Sequence, residues 1–302
     1  MRFKISALRS SIQIVSFLFL FGWASVAQAR QDVVKDQFEV RDGGTLYLDL
    51  DYGDVALRTH DENVVLITMQ RDVDGVSDGE LKDMLSRQDY RFERDGNDVI
   101  VEVEFREDAT DRAWKRWKRD FDLDLDLEIL IPERFNVEFR TGAGNVELAH
   151  LIGNVSGRTG AGNLEFDAIS GTIDITSGAG NIDISDTDGD VNVESGAGTV
   201  DLEGIRGRIE ASTGAGNINA SILGQLVGDS SFQTGAGNVV VYIADDVGAD
   251  VEGRASLGNA RSEFDVRTRG KFMSKSFSGR INGGGPAITM SSGVGNVSLR
   301  RN

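Results

Sequence analysis

Glycine recurs every nine residues through the second half of the chain, and this interval limits what the chain can fold into. Gly144, Gly153, Gly162, Gly171, Gly180, Gly189, Gly198, Gly207 and Gly216 are all nine apart. Every second one belongs to a longer motif. Thr141-Gly-Ala-Gly-Asn145 returns at Thr159, Ser177, Ser195 and Thr213, each 18 residues after the last and with Thr199 in place of Asn in the copy at Ser195, and at Thr234 after a slip of three. Degenerate copies stand at Gly258-Asn259 and at Ser292-Gly-Val-Gly-Asn296. After each glycine, apolar and polar residues alternate, as in Asn145-Val146-Glu147-Leu148 and Asp190-Val191-Asn192-Val193. Alternation over four or five residues marks a short strand with one buried face. Nine residues cannot hold a strand and a helix, so each unit is one strand and one corner. The spacing predicts an all-β, single-stranded parallel β-solenoid with 18-residue coils of two nine-residue units, stacked about 4.8 Å apart.

Glycine turns such corners because it reaches positive φ without steric cost. The asparagine after it would lie above its own copy in the next coil. Asn145, Asn163, Asn181 and Asn217 are therefore expected to form a structural ladder, with Thr159, Ser177, Ser195 and Thr213 as a second ladder just before the corner. Two residues beyond the ladder asparagine the side chain points outward, and four successive coils carry Glu147, Glu165, Asp183 and Asp201 there. Like charges at about 5 Å repel. The column reads either as a solvated face that discourages sideways association of sheets or as a cation column, with calcium the candidate metal.

Upstream, Gly44-Thr-Leu46-Tyr-Leu48 and Gly53-Asp-Val55-Ala-Leu57 follow the same plan more loosely. Residues 76 to 88 read as a short amphipathic helix. Residues 106 to 122 are a charge-dense insert, after which Leu123-Asp-Leu125-Asp-Leu127 alternates strictly. Within the insert, Trp114, Trp117 and Phe121 share a helical face, with Arg112, Lys115 and Arg116 among the cations between them. That stripe either docks on the cap or contacts a partner such as headgroups or an anionic glycan. Residues 30 to 140 are expected to form an irregular β-rich N-terminal cap, and 141 to 302 the repeats with a C-terminal cap.

Arg2, Lys4 and Arg9 precede an apolar run from Ile12 to Trp23 that ends in Ala27-Gln28-Ala29. That order predicts a signal peptide over residues 1 to 29 and a periplasmic or secreted protein with no transmembrane segment after cleavage. Without those three cations the chain holds 29 Lys and Arg against 49 Asp and Glu, a balance of −20. Such a charge opposes nucleic acid and anionic lipid alike. Zero Cys rules out disulfides and thiolate metal sites. With 37 Gly but only 2 Pro, the composition suits tight turns between strands that need every N–H.

With these residues in view, the chain resembles the bacterial adhesin-like family of β-strand-repeat proteins, a domain of unknown function, from about Phe38 onward. Gly44-Thr-Leu-Tyr-Leu48, Ile131-Pro132, the Gly-Asn-Val repeats and the run Gly279 to Pro286 before Gly295-Asn296-Val297 carry the likeness. The resemblance implies a β-repeat fold and supplies no catalytic residues.

Enzyme signatures are sparse. His60 and His150 are 90 residues apart, so neither is spaced as a metal ligand of the other. Neither a Gly-x-Ser-x-Gly elbow nor a P-loop occurs. Gly142-Ala-Gly144 opens a strand rather than a helix, so no helix terminus awaits a phosphate. In the nine-residue calcium β-roll an Asp follows the turn, but here Val146, Leu164, Ile182, Val200 and Ile218 hold that slot. The expected function is a non-catalytic envelope binding or structural module without a cofactor, its partner a glycan, protein or other surface component. A carbohydrate-active β-helix enzyme is the alternative.

Overall fold

The computed structural model describes residues 30–73, 88–105, 123–271 and 274–302, with single positions 79, 85 and 86 between them. The expected helix over 76 to 88 lies almost wholly outside the described residues, and the insert of 106 to 122 entirely so. The described chain is all-β, with parallel strands in two long sheets of 12 and 13 strands, a solenoid-like stack. In the first sheet, Val146–Ala149, Leu164–Asp167, Ile182–Ser185, Val200–Glu203, Ile218–Ile222 and Val239–Ile243 lie side by side. In the second, Asn136–Ala143, Val155–Ala161, Ile173–Ser177, Val191–Ala197, Ile209–Ala215 and Ser230–Ala236 do the same. Through these repeats the chain alternates between sheets at every corner. Leu164 lies beside Val146 and Ile182, and Ile173 beside Val155 and Val191, so neighbouring copies of the motif meet in register.

Alternation then fills the space between the sheets. Val146, Leu164, Ile182, Val200 and Ile218 form one inward column of the first sheet, all essentially buried. Phe139 and Phe166 meet across the core with ring centroids 6.2 Å apart. Size is balanced along columns as well. Gly157 stands beside Phe139, whose ring fills the space a Cβ would need, and Gly253 stands beside Phe277 in the same way. A larger residue at either glycine would overpack the core.

The corners explain both the glycine and the asparagine. At Gly144, Gly162, Gly180 and Gly198 φ lies at 128°, 132°, 125° and 129°. A methyl group on Gly180 would collide with the carbonyl oxygen of Gly162 in the coil before, and the same holds along the series. Each of these glycines donates its N–H to the alanine carbonyl of the next coil, as Gly162 does to Ala179 at 3.0 Å. The asparagine N–H points the other way, to where the turning backbone offers no carbonyl. The preceding asparagine supplies the acceptor: Asn163 N–H donates to Asn145 Oδ1 at 2.9 Å, Asn181 to Asn163 at 3.0 Å and Thr199 to Asn181 at 3.0 Å. After Thr199 breaks the pattern, Asn238 donates to Asn217 at 2.9 Å and Asn296 to Asn238 at 3.0 Å. The ladder thus joins side chain to backbone at an exposed corner, with a second bond from the Nδ2 of Asn238 and of Asn296 to the asparagine before each, and Asn181 itself is exposed.

A second corner has a different solution. His150, Ala168, Asp186 and Gly204, 18 residues apart in sequence, all adopt left-handed φ, at 63°, 54°, 47° and 68°. Only the last is glycine, so the sequence does not advertise this turn.

The ends break chain order. The last repeat, Ala287–Val294 with Val297–Arg301, inserts between Ser230–Ala236 with Val239–Ile243 and Ala249–Leu257 with Ala260–Ser262. At the N-terminus, Thr45–Leu50 and Asp54–His60 likewise lie one layer in, between Asn136–Ala143 with Val146–Ala149 and Asp98–Phe105 with Leu123–Pro132. They carry the regular plan, with Leu46 beside Val137, Val55 beside Val146 and Gly53 stacked on Gly144. One core runs from Val40 to Leu299, and position 140 falls inside the strand Asn136–Ala143. Antiparallel strands finish each end: Arg30–Glu39 and Val64–Val73, the hairpin Gln88–Asp95 with Asp98–Phe105, and at the far end Arg267–Lys271 with Ser274–Ile281. Under the N-terminal end, Arg71 is buried with Nε donating to Asp32 at 2.9 Å and Nη1 to Gln88 at 2.8 Å.

Thr199→Asn should therefore complete the corner ladder between Asn181 and Asn217. A surface-corner hydrogen bond of this kind is worth about 0.5–1 kcal/mol. Urea denaturation should show the midpoint raised with an unchanged slope.

Candidate functional site

The outer face of the first sheet bears the carboxylates singled out in the sequence. Glu147, Glu165, Asp183 and Asp201 are register partners on successive strands. Asn219 continues the column and donates Nδ2 to Asp201 Oδ1 at 2.7 Å. Asp183 has acidic neighbours on both sides. Its carboxyl is held above the ordinary carboxylate range, chiefly by partial burial and then by the charges of Asp201 and Glu203.

Toward the N-terminal end, the column meets Ala56, which lies between Glu147 and Glu128. A small side chain between two long ones leaves a hollow of ≈ 280 Å³ lined by Asp54, Arg58, Gln70, Asp126, Glu128 and Glu147, among others. Asp54 accepts from Asn145 N–H at 2.8 Å and so starts the asparagine ladder. Burial, with Asp54, Asp124 and Asp72 nearby, raises the pKa of Asp126. Sequence reasoning passed over Asp54, Asp126 and Glu128. The signal was present in the strict alternation of Leu123–Pro132, but the pairing that sets that strand beside Asp54–His60 has no local trace.

Among the described residues, no three His, Asp or Glu side chains converge as ligands of one metal ion. His60 Nε2 lies 2.7 Å from the Val64 carbonyl oxygen, and His150 is the exposed left-handed corner residue noted above, so the two do not meet. Trp114, Trp117, Phe121, Arg112, Lys115 and Arg116 lie outside the described residues. A hollow of ≈ 350 Å³ opens on the second sheet, lined by Tyr47, Asp49, Ile100, Glu102, Glu138 and Arg140 together with Leu48.

A folded-state pKa above the unfolded one means that the fold holds the proton of Asp183 more tightly than the open chain does. Stability then falls as pH rises through the interval between the ordinary Asp value and the raised one. Asp183→Asn should melt higher than wild type at neutral pH by a few tenths of a kcal/mol, as for other partly exposed charges. The difference should vanish below the ordinary Asp pKa of about 3.9. Denaturant midpoints at both pH values check this.

A family model described as Toastrack DUF4097 matches residues 52–300. Among solved structures, a cell-adhesion candidate from Clostridium sporogenes is similar at 12% identity and TM-score 0.29, covering 91% of this chain and 100% of that one. An adhesin candidate from Bacteroides fragilis is similar at 11% identity and TM-score 0.38, covering 89% and 97%. No functionally curated protein matches the chain. The long family match decides the assignment: the chain belongs to the Toastrack DUF4097 family.

Proposed function

We propose that this protein is an exported, non-catalytic binding or structural module of the bacterial envelope, adhesin-like, and that residues 1 to 29 direct it to the periplasm or beyond. In this reading each 18-residue stretch is one coil of a rigid stack whose faces present side chains in straight columns. The observation that carries the reading is the outer surface itself. Carboxylates, amides and hydroxyls stand in register from strand to strand, as in Glu147–Glu165–Asp183–Asp201–Asn219. Such a surface offers many equivalent weak contacts, whereas a catalytic site gathers a few groups around one bond. Partner recognition is assigned to the insert, where Trp114 and Trp117 supply large aromatic anchors of the kind in which binding energy concentrates.

One observation speaks for the enzyme reading: the raised Asp126 carboxyl shares its hollow with Glu128 and Glu147, a pairing that general acid catalysis on a glycan uses. Incubation with envelope polysaccharides and washed envelope fractions separates the two readings. At high salt, the binding module sediments saturably with the envelope and releases no reducing ends, and Trp114→Ala with Trp117→Ala abolishes that sedimentation while the β-rich circular-dichroism spectrum stays intact. Release of reducing ends that Asp126→Asn abolishes would establish the enzyme instead.

A further inference from the structure

The molecule is electrically lopsided in a way its total charge conceals. Residues 254–302 hold nine Lys and Arg against two carboxylates, Glu263 and Asp265, a balance of +7. With −17 for the whole chain, residues 1–253 carry −24. The fold collects these cations at one end, formed by the last strands of both sheets; Asp250 and Glu252 of the strand Ala249–Leu257 lie there too and pair Arg280 and Arg254, so residues 249–302 still carry +5. On the second sheet, Arg267 and Arg269 lie on the edge strand Arg267–Lys271, paired in register with Ser278 and Ser276. Phe277 between those serines is buried, so the serines and both arginines face outward, and Arg254 continues the row of Arg269 and Ser276. Arg254 donates Nε to Glu252 at 2.7 Å. Neither Arg267 nor Arg269 makes an ion pair among the described residues, and both are exposed. At the adjoining corner, Lys275 Nζ donates to Asn259 Oδ1, and exposed Arg261 follows two residues later.

An independent feature sits at that same corner. The middle residue of the Gly-Ala-Gly turn is alanine at 143, 161, 179, 197, 215 and 236. In the two end layers it becomes Val294 and Leu257, which are register partners and are 55% and 45% exposed. Alanine satisfies this turn six times over, so the larger residues are not required by the backbone. Leu257 lies three residues from Arg254 along its strand, about 10 Å. Cations alone would suit any soluble polyanion. Cations around an exposed apolar pair suit an interface whose charged surface overlies a hydrocarbon layer.

We infer that the C-terminal rim, Leu257 and Val294 framed by Arg261, Arg267, Arg269 and Lys275, docks end-on onto an anionic lipid surface. The acidic remainder of the stack is repelled by the same surface, so charge sets the orientation as well as the contact. The inference shares with the proposed function only the premise of an envelope partner, and it places the contact at the opposite end from the strands Asp98–Phe105 and Leu123–Pro132, between which the aromatic insert falls in sequence.

Vesicle sedimentation tests it, with protein purified from the compartment to which the cell delivers it. Vesicles of phosphatidylcholine with phosphatidylglycerol should bind the protein at low salt and lose it at high salt, whereas phosphatidylcholine alone should not bind. Arg267→Glu with Arg269→Glu should weaken binding at least tenfold, since each cation near such a surface counts separately. Leu257→Ala with Val294→Ala, which restores the residue of the other corners and so keeps the fold, should weaken it several-fold. Trp114→Ala with Trp117→Ala should leave vesicle binding unchanged, so failure of the insert proposal and failure of this one are distinguishable. The inference is overturned if phosphatidylglycerol vesicles do not bind, or if the arginine variant binds as wild type does. It is overturned equally if the Leu257/Val294 variant binds normally and soluble polyphosphate competes the protein off, for the rim would then be a polyanion site and not a lipid one.

Discussion

Backbone stacking at the glycine corners is the constraint on which the rest of this structure depends. Each turn approaches the one before it so closely that the carbonyl oxygen of one glycine occupies the space where the next would carry a Cβ. Glycine is therefore needed at these corners for positive φ and for contact at once. The close approach brings each glycine N–H to an alanine carbonyl and each asparagine Oδ1 to the next backbone N–H. Strand register follows from the corner. Once Gly162 sits on Gly144, Leu164 must lie beside Val146 and Glu165 beside Glu147. The same register that buries one column exposes another, so the acidic column is a consequence of the corner as much as of the residues in it.

A stack of this kind has two open ends, each with unpaired strand groups that invite aggregation. Both ends here use the same device. The terminal repeat is threaded one layer inward, and antiparallel strands cover both sheets at the N-terminal end and the second sheet at the C-terminal end, where Ala260–Ser262 is the edge of the first. At the N-terminal end, the strands Thr45–Leu50 and Asp54–His60 are held on both sides by strands about 50 to 90 residues away in sequence. Such long-range pairing ties the ends to the middle and argues for one cooperative unit, since neither end can form before distant chain has arrived. The closing strands are charged, with Arg267, Arg269 and Lys271 at one end, and Asp89, Arg91, Glu93 and Asp95 at the other. Charge on an edge strand discourages sheet-to-sheet pairing and, at the basic end, leaves a surface with a partner chemistry of its own.

Much of this was legible in the sequence because the repeat is local and its chemistry is simple. The nine-residue glycine spacing, the inward Val146–Leu164–Ile182 column and the outward carboxylates each follow from period and alternation. The ladder was legible in position but not in form. Asn145 Oδ1 serves a backbone N–H, while Asn238 and Asn296 add amide-to-amide bonds to Asn217 and Asn238, and the direction in which a corner amide points is not a property of composition. Three features had no local signal. The threading of Val297–Arg301 between earlier strands depends on long-range pairing. The left-handed corner at His150, Ala168, Asp186 and Gly204 is made by four different residue types, so no repeated residue marks it although His, Asp and Gly each tolerate positive φ. The basic rim is spread over residues 254–302 with serines and apolar residues between its cations, so it does not read as a charge run until the sheet places Arg254 and Arg269 in one row.

The central claim is that the surface corners, rather than the strands alone, hold the stack together. Native-state hydrogen exchange measures this at single amides. The N–H groups of Gly144, Gly162, Gly180 and Gly198, and of Asn163 and Asn181, lie at exposed turns, where amides ordinarily exchange by local fraying. If the corners hold the coils, these amides should exchange only through global unfolding, with the same protection and denaturant dependence as Leu164 and Ile182 in the strands. Corner amides that exchange orders of magnitude faster than the strand amides would contradict the account and leave sheet pairing as the source of the stack's stability.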